Sequence, residues 1–185
     1  METTNKPQIV ILIAPSGAGK STFAKEFIRN NPSYVCLNAD TLRGVIGENE
    51  SDQLINARVF SVLTDMTKYF MKLGNNILVD NTNYNLRNRK TFVDLGKANY
   101  YEVIAVTFDT DLATCLIRNE SRERRVPLDV LHRQFDNYEK PTIEEGFSQI
   151  VNAEDFLQEG VNQSIYTLGD LNFEEQSDWK AKLGQ

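Results

Sequence analysis

The chain has 185 residues, 41% of them apolar and 25% charged, and a formal net charge of −6. That suffices for one ordinary domain with a buried core, and the negative sign argues against a protein that coats nucleic acid non-specifically. The longest apolar run, Ile9 to Ala14, is too short to span a membrane. METTNKPQ at the start has no apolar signal region, so a cytoplasmic location is expected. Cys36 and Cys115 stand far apart in apolar settings and are expected as reduced, buried thiols. The single histidine, His132, cannot complete a metal cluster with them.

In chain order, QIVILIA is a short, continuously apolar, β-branched run, the pattern of a strand buried on both faces. KSTFAKEFIRNN reads as a helix that Asn31 and Pro32 end. YVCLNAD is a second strand stopping at Asp40, and the long SDQLINARVFSVLTDMTKYFMKLG is helical, with Gly74 as C-cap. NILVDNTN is a third strand running into a polar turn; LRNRKTFVDLGKAN is a helix; YEVIAVTFD is a fourth strand. DLATCLIRNESRER is a helix with a charged end, PLDVLHRQFDNY a helix opened by Pro127, and FSQIVNA a fifth strand. Alternating buried strands and helices predict an α/β fold with a mainly parallel sheet of about five strands. Residues 1–153 are taken as one domain and 154–185 as an acidic extension on or next to it, with SIYTLG a sixth strand and EEQSDWKAKLG a terminal helix. That extension holds Trp179 and is expected either to cover the sheet edge or to pair two chains as a homodimer.

Between the first strand and the first helix stands APSGAGKST. This is the context a phosphate-binding loop requires, with Ala14 where G-x-x-x-x-G-K-[ST] asks for glycine. Gly17 and Gly19 give the backbone freedom to curl around an anion, and the helix N-terminus adds positive potential. Ser16, Gly17, Ala18, Gly19, Lys20, Ser21 and Thr22 are the expected nucleotide-binding residues, with Lys20 on the β- and γ-phosphates and Ser21 on Mg²⁺. Alanine at 14 is acceptable if its φ stays negative.

Such a loop serves hydrolases and kinases alike, but no N-K-x-D base-reading motif occurs. A kinase needs a carboxylate beside the γ-phosphate to take the acceptor proton. Asp40, ending the second strand, suits that role, and Arg43 follows at helical spacing to hold an acceptor anion beside it. Asp40 also reads as a helix N-cap before TLRGVI, a role that can coexist with the first. Asp80, ending the third strand, reads as a metal-site acid or as the start of an Asx-turn through Asn81, Thr82 and Asn83. Arg118, Arg122, Arg124 and Arg125 read as a mobile anion clamp or as a solvated face paired with Glu120 and Glu123, Arg124 being the member best assigned to solvent.

The blocks SGAGKSTFAKEFI, LNADTLR, VDNTN and RNESRERRVPLDVL, in this order and spacing, resemble the 5′-hydroxyl polynucleotide kinases of phage and of bacterial RNA-repair systems, over about Val10 to Asn152. The resemblance implies a P-loop kinase-like three-layer sandwich with an arginine-rich helical lid. It implies transfer of the ATP γ-phosphate to a 5′-OH end of DNA or RNA. Asp40 corresponds to the general base and Arg43 to the contact with the acceptor's 3′-phosphate. Lys20, Arg122 and Arg125 belong to the catalytic set, and Arg118 and Arg122 to the ATP clamp. Thr82, Asn83 and Arg87 are expected near the acceptor, with Arg89 in the same group or at the surface, and Ser21 and Asp80 at Mg²⁺. DTDLAT, Asp109 to Thr114, is not a phosphatase motif, because Ala113 stands where D-x-D-x-[TV] needs its fifth residue. Two other readings stay open: the same scaffold acting on a hydroxymethylated base, a nucleoside or a sugar, and a nucleotide-binding interaction module without transfer.

Overall fold

The computed structural model describes residues 6–46, 53–122 and 124–159. Five strands form one wholly parallel sheet: β1 (Gln8–Ile13), β2 (Tyr34–Asn38), β3 (Asn76–Asp80), β4 (Glu102–Thr107) and β5 (Gln149–Asn152), in spatial order β2-β3-β1-β4-β5. The helices are α1 (Lys20–Asn30), α2 (Ala39–Ile46), α3 (Gln53–Lys72), α4 (Leu86–Ala98), α5 (Leu112–Glu120), α6 (Leu128–Asp136) and α7 (Ala153–Glu159).

The continuous apolar character of β1 follows from its burial on both faces. Ile9, Ile11 and Ile13 pack with Val59 and Leu63 of α3 and with Phe92 and Val93 of α4. Val10 and Leu12 point the other way, onto Phe23, Ala24 and Phe27 of α1 and Phe156 of α7. This period-2 division makes three layers, helix on sheet on helix. Phe156 of α7 joins the same core as β1 and α1. The sixth strand, the terminal helix and Trp179 lie outside the described residues. Among the described residues no helix is long and apolar enough to cross a membrane.

Gly74 ends α3 as expected. It has φ 74°, its N–H donates to Met71 O at 3.0 Å and the Asn75 N–H to Phe70 O at 3.1 Å, the paired bonds of a Schellman motif. Three expectations are corrected. The second strand stops at Asn38, not Asp40, because Asn38 caps α2: its Oδ1 accepts from the Thr41 N–H at 2.8 Å. Cys36 is exposed, since it lies on edge strand β2, whereas Cys115 is buried as expected. Arg89 is neither an acceptor contact nor a surface residue. It is 1% exposed and clamps Glu145 with two bonds, Nε to Oε2 at 2.6 Å and Nη2 to Oε1 at 2.7 Å, while Nη1 donates to Glu139 O at 2.9 Å. This fork ties the segment before β5 to α4.

Candidate active site at the carboxyl ends of the strands

β1 sits where the chain's direction of winding reverses: β3 and β2 lie to one side, β4 and β5 to the other. In open α/β sheets the crevice beyond that point takes the ligand. The residues that leave β1 there form the glycine loop. Gly17 (φ 88°) and Gly19 (φ 105°) hold left-handed conformations. A Cβ on Gly17 would come within 2.9 Å of Cys115 O, so this position needs glycine twice over, for φ and for space. Ala14 keeps a negative φ, being absent from the positive-φ residues, and is fully buried with Ala18, Cys115 and Leu131. Its N–H donates to Thr82 O at 3.0 Å. The missing glycine is thus replaced by a methyl that fills the packing between loop, α5 and α6.

Three elements hold the loop from outside. Ser16 N–H donates to Gln134 Oε1 on α6 at 2.7 Å, Arg118 on α5 donates to Gly17 O at 3.3 Å, and Thr110 Oγ1 donates to Ala18 O at 3.1 Å. The arginine-bearing segment is closed at its base by Asn119, 3% exposed. Its Nδ2 donates to Val126 O at 2.8 Å and its Oδ1 accepts from Val126 N–H at 2.9 Å.

Two clefts meet on the loop. One, about 600 Å³, is lined by Ala18, Gly19, Thr22, Phe108, Asn152 and neighbours, with Arg118 at its side. The other, about 780 Å³, is lined by Ser16, Lys20, Asp40, Arg43, Asp80, Thr82, Arg124, Arg125, Arg133 and Gln134, among others. Gly17, Ser21 and Arg122 line both. Each volume is of the size that holds a nucleotide or comparable ligand.

In the second cleft Asp40 lies in the first turn of α2, bonded to Arg43, whose Nε also donates to Asn56 Oδ1 at 3.1 Å. Because Asn38 supplies the cap, Asp40 is left without capping duty and is largely exposed to the cleft. Asp80 is 5% exposed and accepts from Asn38 Nδ2 at 2.6 Å. Burial pushes its carboxyl above the ordinary value, partly offset by Asn38, Lys20 and Ser21. Ser21 and Asp80 together offer hydroxyl and carboxylate oxygens, the hard donors that suit Mg²⁺. Among the described residues no cluster of three His, Cys, Asp or Glu side chains forms a metal cage; a magnesium ion, which keeps several waters, does not need one.

Lys20 is buried, and its Nζ donates to Ala14 O at 2.9 Å and Pro15 O at 2.7 Å, at the β1 end of the loop. Burial, with Arg122 nearby, pushes its pKa down to about 8 despite Asp80 and Asp40. A polyphosphate beside it restores the charged form. Nucleotide binding is therefore expected to take up a proton above about pH 8, where Lys20 is largely neutral, and none well below it, where it is already charged. Calorimetric titration of ATP in buffers of different ionisation enthalpy at two pH values reads this directly; equal uptake at both contradicts it.

Several expected residues fall elsewhere. Asn83 is fully buried with φ 46°, and its Nδ2 donates to Leu12 O at 2.9 Å, so it fastens the turn after β3 to β1 and cannot meet an acceptor. Arg87 is exposed and does not line either cleft. Arg124, assigned to solvent by sequence, borders the second cleft. Gln134, which lines the second cleft, and Asn119, which closes the base of the arginine segment, are residues that the sequence reading did not single out.

Comparison with known proteins agrees with this architecture. The chain is 29% identical over 153 residues to a protein of Acanthamoeba polyphaga mimivirus named as a bifunctional polynucleotide phosphatase/kinase, covering 78% of this chain and 32% of that one. It is 25% identical over 149 residues to one of Autographa californica nuclear polyhedrosis virus named as a bifunctional polynucleotide kinase/RNA ligase, covering 72% and 21%. It thus spans a third or less of these two relatives. Among solved structures, a chain of the Pnkp1/Rnl/Hen1 RNA repair complex superposes with a TM-score of 0.65 at 23% identity, covering 74% of this chain and 45% of that one, which shows a shared fold. The match of the AAA domain model to residues 9–141 extends over most of the chain, from β1 past α6, and the chain belongs to the AAA domain family.

Proposed function

We propose that this domain is an ATP-dependent kinase that phosphorylates the 5′-hydroxyl end of a DNA or RNA strand. The observation that carries the reading is the meeting of two clefts at Gly17, Ser21 and Arg122. A nucleotide in the first cleft, its phosphates on the loop, would present its terminal phosphoryl group to the second. Asp40 and Arg43 line that second cleft. The relatives named as polynucleotide kinases support the choice of acceptor.

In this reading the acceptor 5′-oxygen attacks the γ-phosphorus as the bond to the β–γ bridging oxygen breaks, and ADP leaves. Asp40 accepts the hydroxyl proton. Arg43, held between Asp40 and Asn56, grips the phosphate on the 3′ side of the reacting nucleotide. Lys20, Arg122, Arg125 and the loop N–H groups stabilise charge on the transferring group, so the protein supplies mainly position and electrostatics. Ser21 and Asp80 would hold Mg²⁺, which when bound neutralises phosphate charge.

The test is transfer of labelled γ-phosphate from ATP to a panel: 5′-hydroxyl DNA and RNA oligonucleotides, 3′-phosphorylated nucleosides, hydroxymethylated duplex DNA and free nucleosides. Label on strand ends is the expected outcome. Label only on a base or a small molecule would overturn the acceptor while keeping the kinase.

A further inference from the structure

Gln134 stands in α6, beyond the arginine segment, and none of the roles above uses its amide nitrogen. It is 8% exposed and borders the second cleft. Its orientation is fixed by chemistry. The partner of one end is the Ser16 N–H, a donor, so the atom 2.7 Å from it must be the carbonyl oxygen Oε1. Nε2 is then the other end, and it has no hydrogen-bond partner among the described residues. The side chain that carries it lines the second cleft.

The position along the loop is equally defined. Ser16 lines only the second cleft, whereas Ala18, Gly19 and Thr22 line only the first. Lys20 Nζ, the group that reaches the β- and γ-phosphates in such loops, lies against Ala14 O and Pro15 O, immediately before Ser16. The Ser16 end of the loop is therefore the γ-phosphate end. Carboxylates border the same cleft, Asp80 and Asp40, which makes neutral or cationic donors the groups able to hold an anion there.

We propose that Gln134 is a γ-phosphate contact: Oε1 fixes the Ser16 end of the loop, and Nε2 donates to an oxygen of the terminal phosphoryl group. The inference rests on the reading that the loop binds a nucleoside triphosphate. It adds a triphosphate-sensing residue supplied by α6, the helix that also carries Arg133 to the acceptor side. One side chain then couples the presence of a γ-phosphate to the position of the acceptor wall.

The experiment is calorimetric binding of ADP and of a non-hydrolysable β,γ-imido ATP analogue to the full chain, with Gln134→Glu and Gln134→Ala beside the wild type. Glutamate can still accept from the Ser16 N–H but has no donor and carries a negative charge. For Gln134→Glu the expected result is ADP affinity within about 2-fold of wild type and ATP-analogue affinity lower by about 10-fold or more, the scale of one hydrogen bond to a charged group. Gln134→Ala is expected to weaken the analogue more than ADP as well, so the ratio of the two affinities reports even if one variant folds poorly. Equal weakening of both nucleotides, or no change in either, overturns the proposal and leaves the kinase reading intact. A wild type that binds neither nucleotide overturns both.

Discussion

Asp40→Asn is expected to lower the rate of phosphoryl transfer by about 10² to 10⁴-fold, the usual contribution of a positioned base. The affinity for an ATP analogue should stay within a factor of about 2, and the thermal midpoint should barely move. The second half of that expectation comes from the structure. Asp40 is exposed, its ion pair with Arg43 is of the surface kind, and such pairs contribute about 0 to 1 kcal/mol. The cap of α2 is Asn38, through the Thr41 N–H. If Asp40 were the cap, Asp40→Ala would cost about 1 kcal/mol while Asp40→Asn would be silent in stability. Kinetics and melting on these two variants separate the roles: activity lost in both with stability kept in both supports the base. Activity kept in Asp40→Asn removes it.

Arg89→Met is expected to have the opposite profile, with a large loss of stability. Arg89 is 1% exposed, and the charge left behind, Glu145, is itself mostly buried, at 11%. Removing one partner of a buried pair costs about 3 to 5 kcal/mol, because the other charge stays desolvated without compensation. Glu139 O loses its donor as well. Adding Glu145→Gln is expected to recover part of the loss, and the double-mutant cycle isolates the coupling between the two side chains. Arg87→Ala, two residues away on the exposed side of α4, should change stability by no more than about 0.5 kcal/mol. Urea unfolding of the four variants measures all of this. A loss near zero for Arg89→Met would show that the buried fork is not a determinant of the fold.

The contrast between Arg87 and Arg89 shows what the sequence could reveal. Both were read as surface or nucleic-acid arginines on their charge, although Arg89 stands three and four residues before the apolar Phe92 and Val93, on the stripe of α4 that is buried, and Arg87 does not. Arg89 pairs with a glutamate 56 residues further on, and no local pattern encodes that pairing. Strands were easier, because burial on both faces leaves an apolar, β-branched run whatever lies across the sheet. Their parallel direction follows from helices alternating with strands, but their order around β1 does not, since β1 and β2, and β3 and β4, are not neighbours in the sheet. The loop was legible because its chemistry demands glycine at two left-handed positions, Gly17 and Gly19. The boundary at Asn38 was not: Asn38 and Asp40 are both good caps two residues apart, and only the length of β2, set by pairing with β3 up to Asp80, decides between them. Gln134 was hidden for the same reason as Glu145, as its partner is the backbone of Ser16, a group every residue has. Asn83 was misplaced because DNTN reads as an exposed turn, while packing under β1 buries it.

In the proposed reaction the two clefts joined at Gly17, Ser21 and Arg122 bring ATP to a strand end. The most direct measurement incubates the chain with γ-labelled ATP, Mg²⁺ and a 5′-hydroxyl oligonucleotide, digests the product to mononucleotides, and locates the label, with Asp40→Asn in parallel. Label recovered as the 5′-phosphate of the first nucleotide, and lost in Asp40→Asn, is the predicted result. An unlabelled oligonucleotide, with ATP bound but its γ-phosphate retained or passed to water, would contradict it.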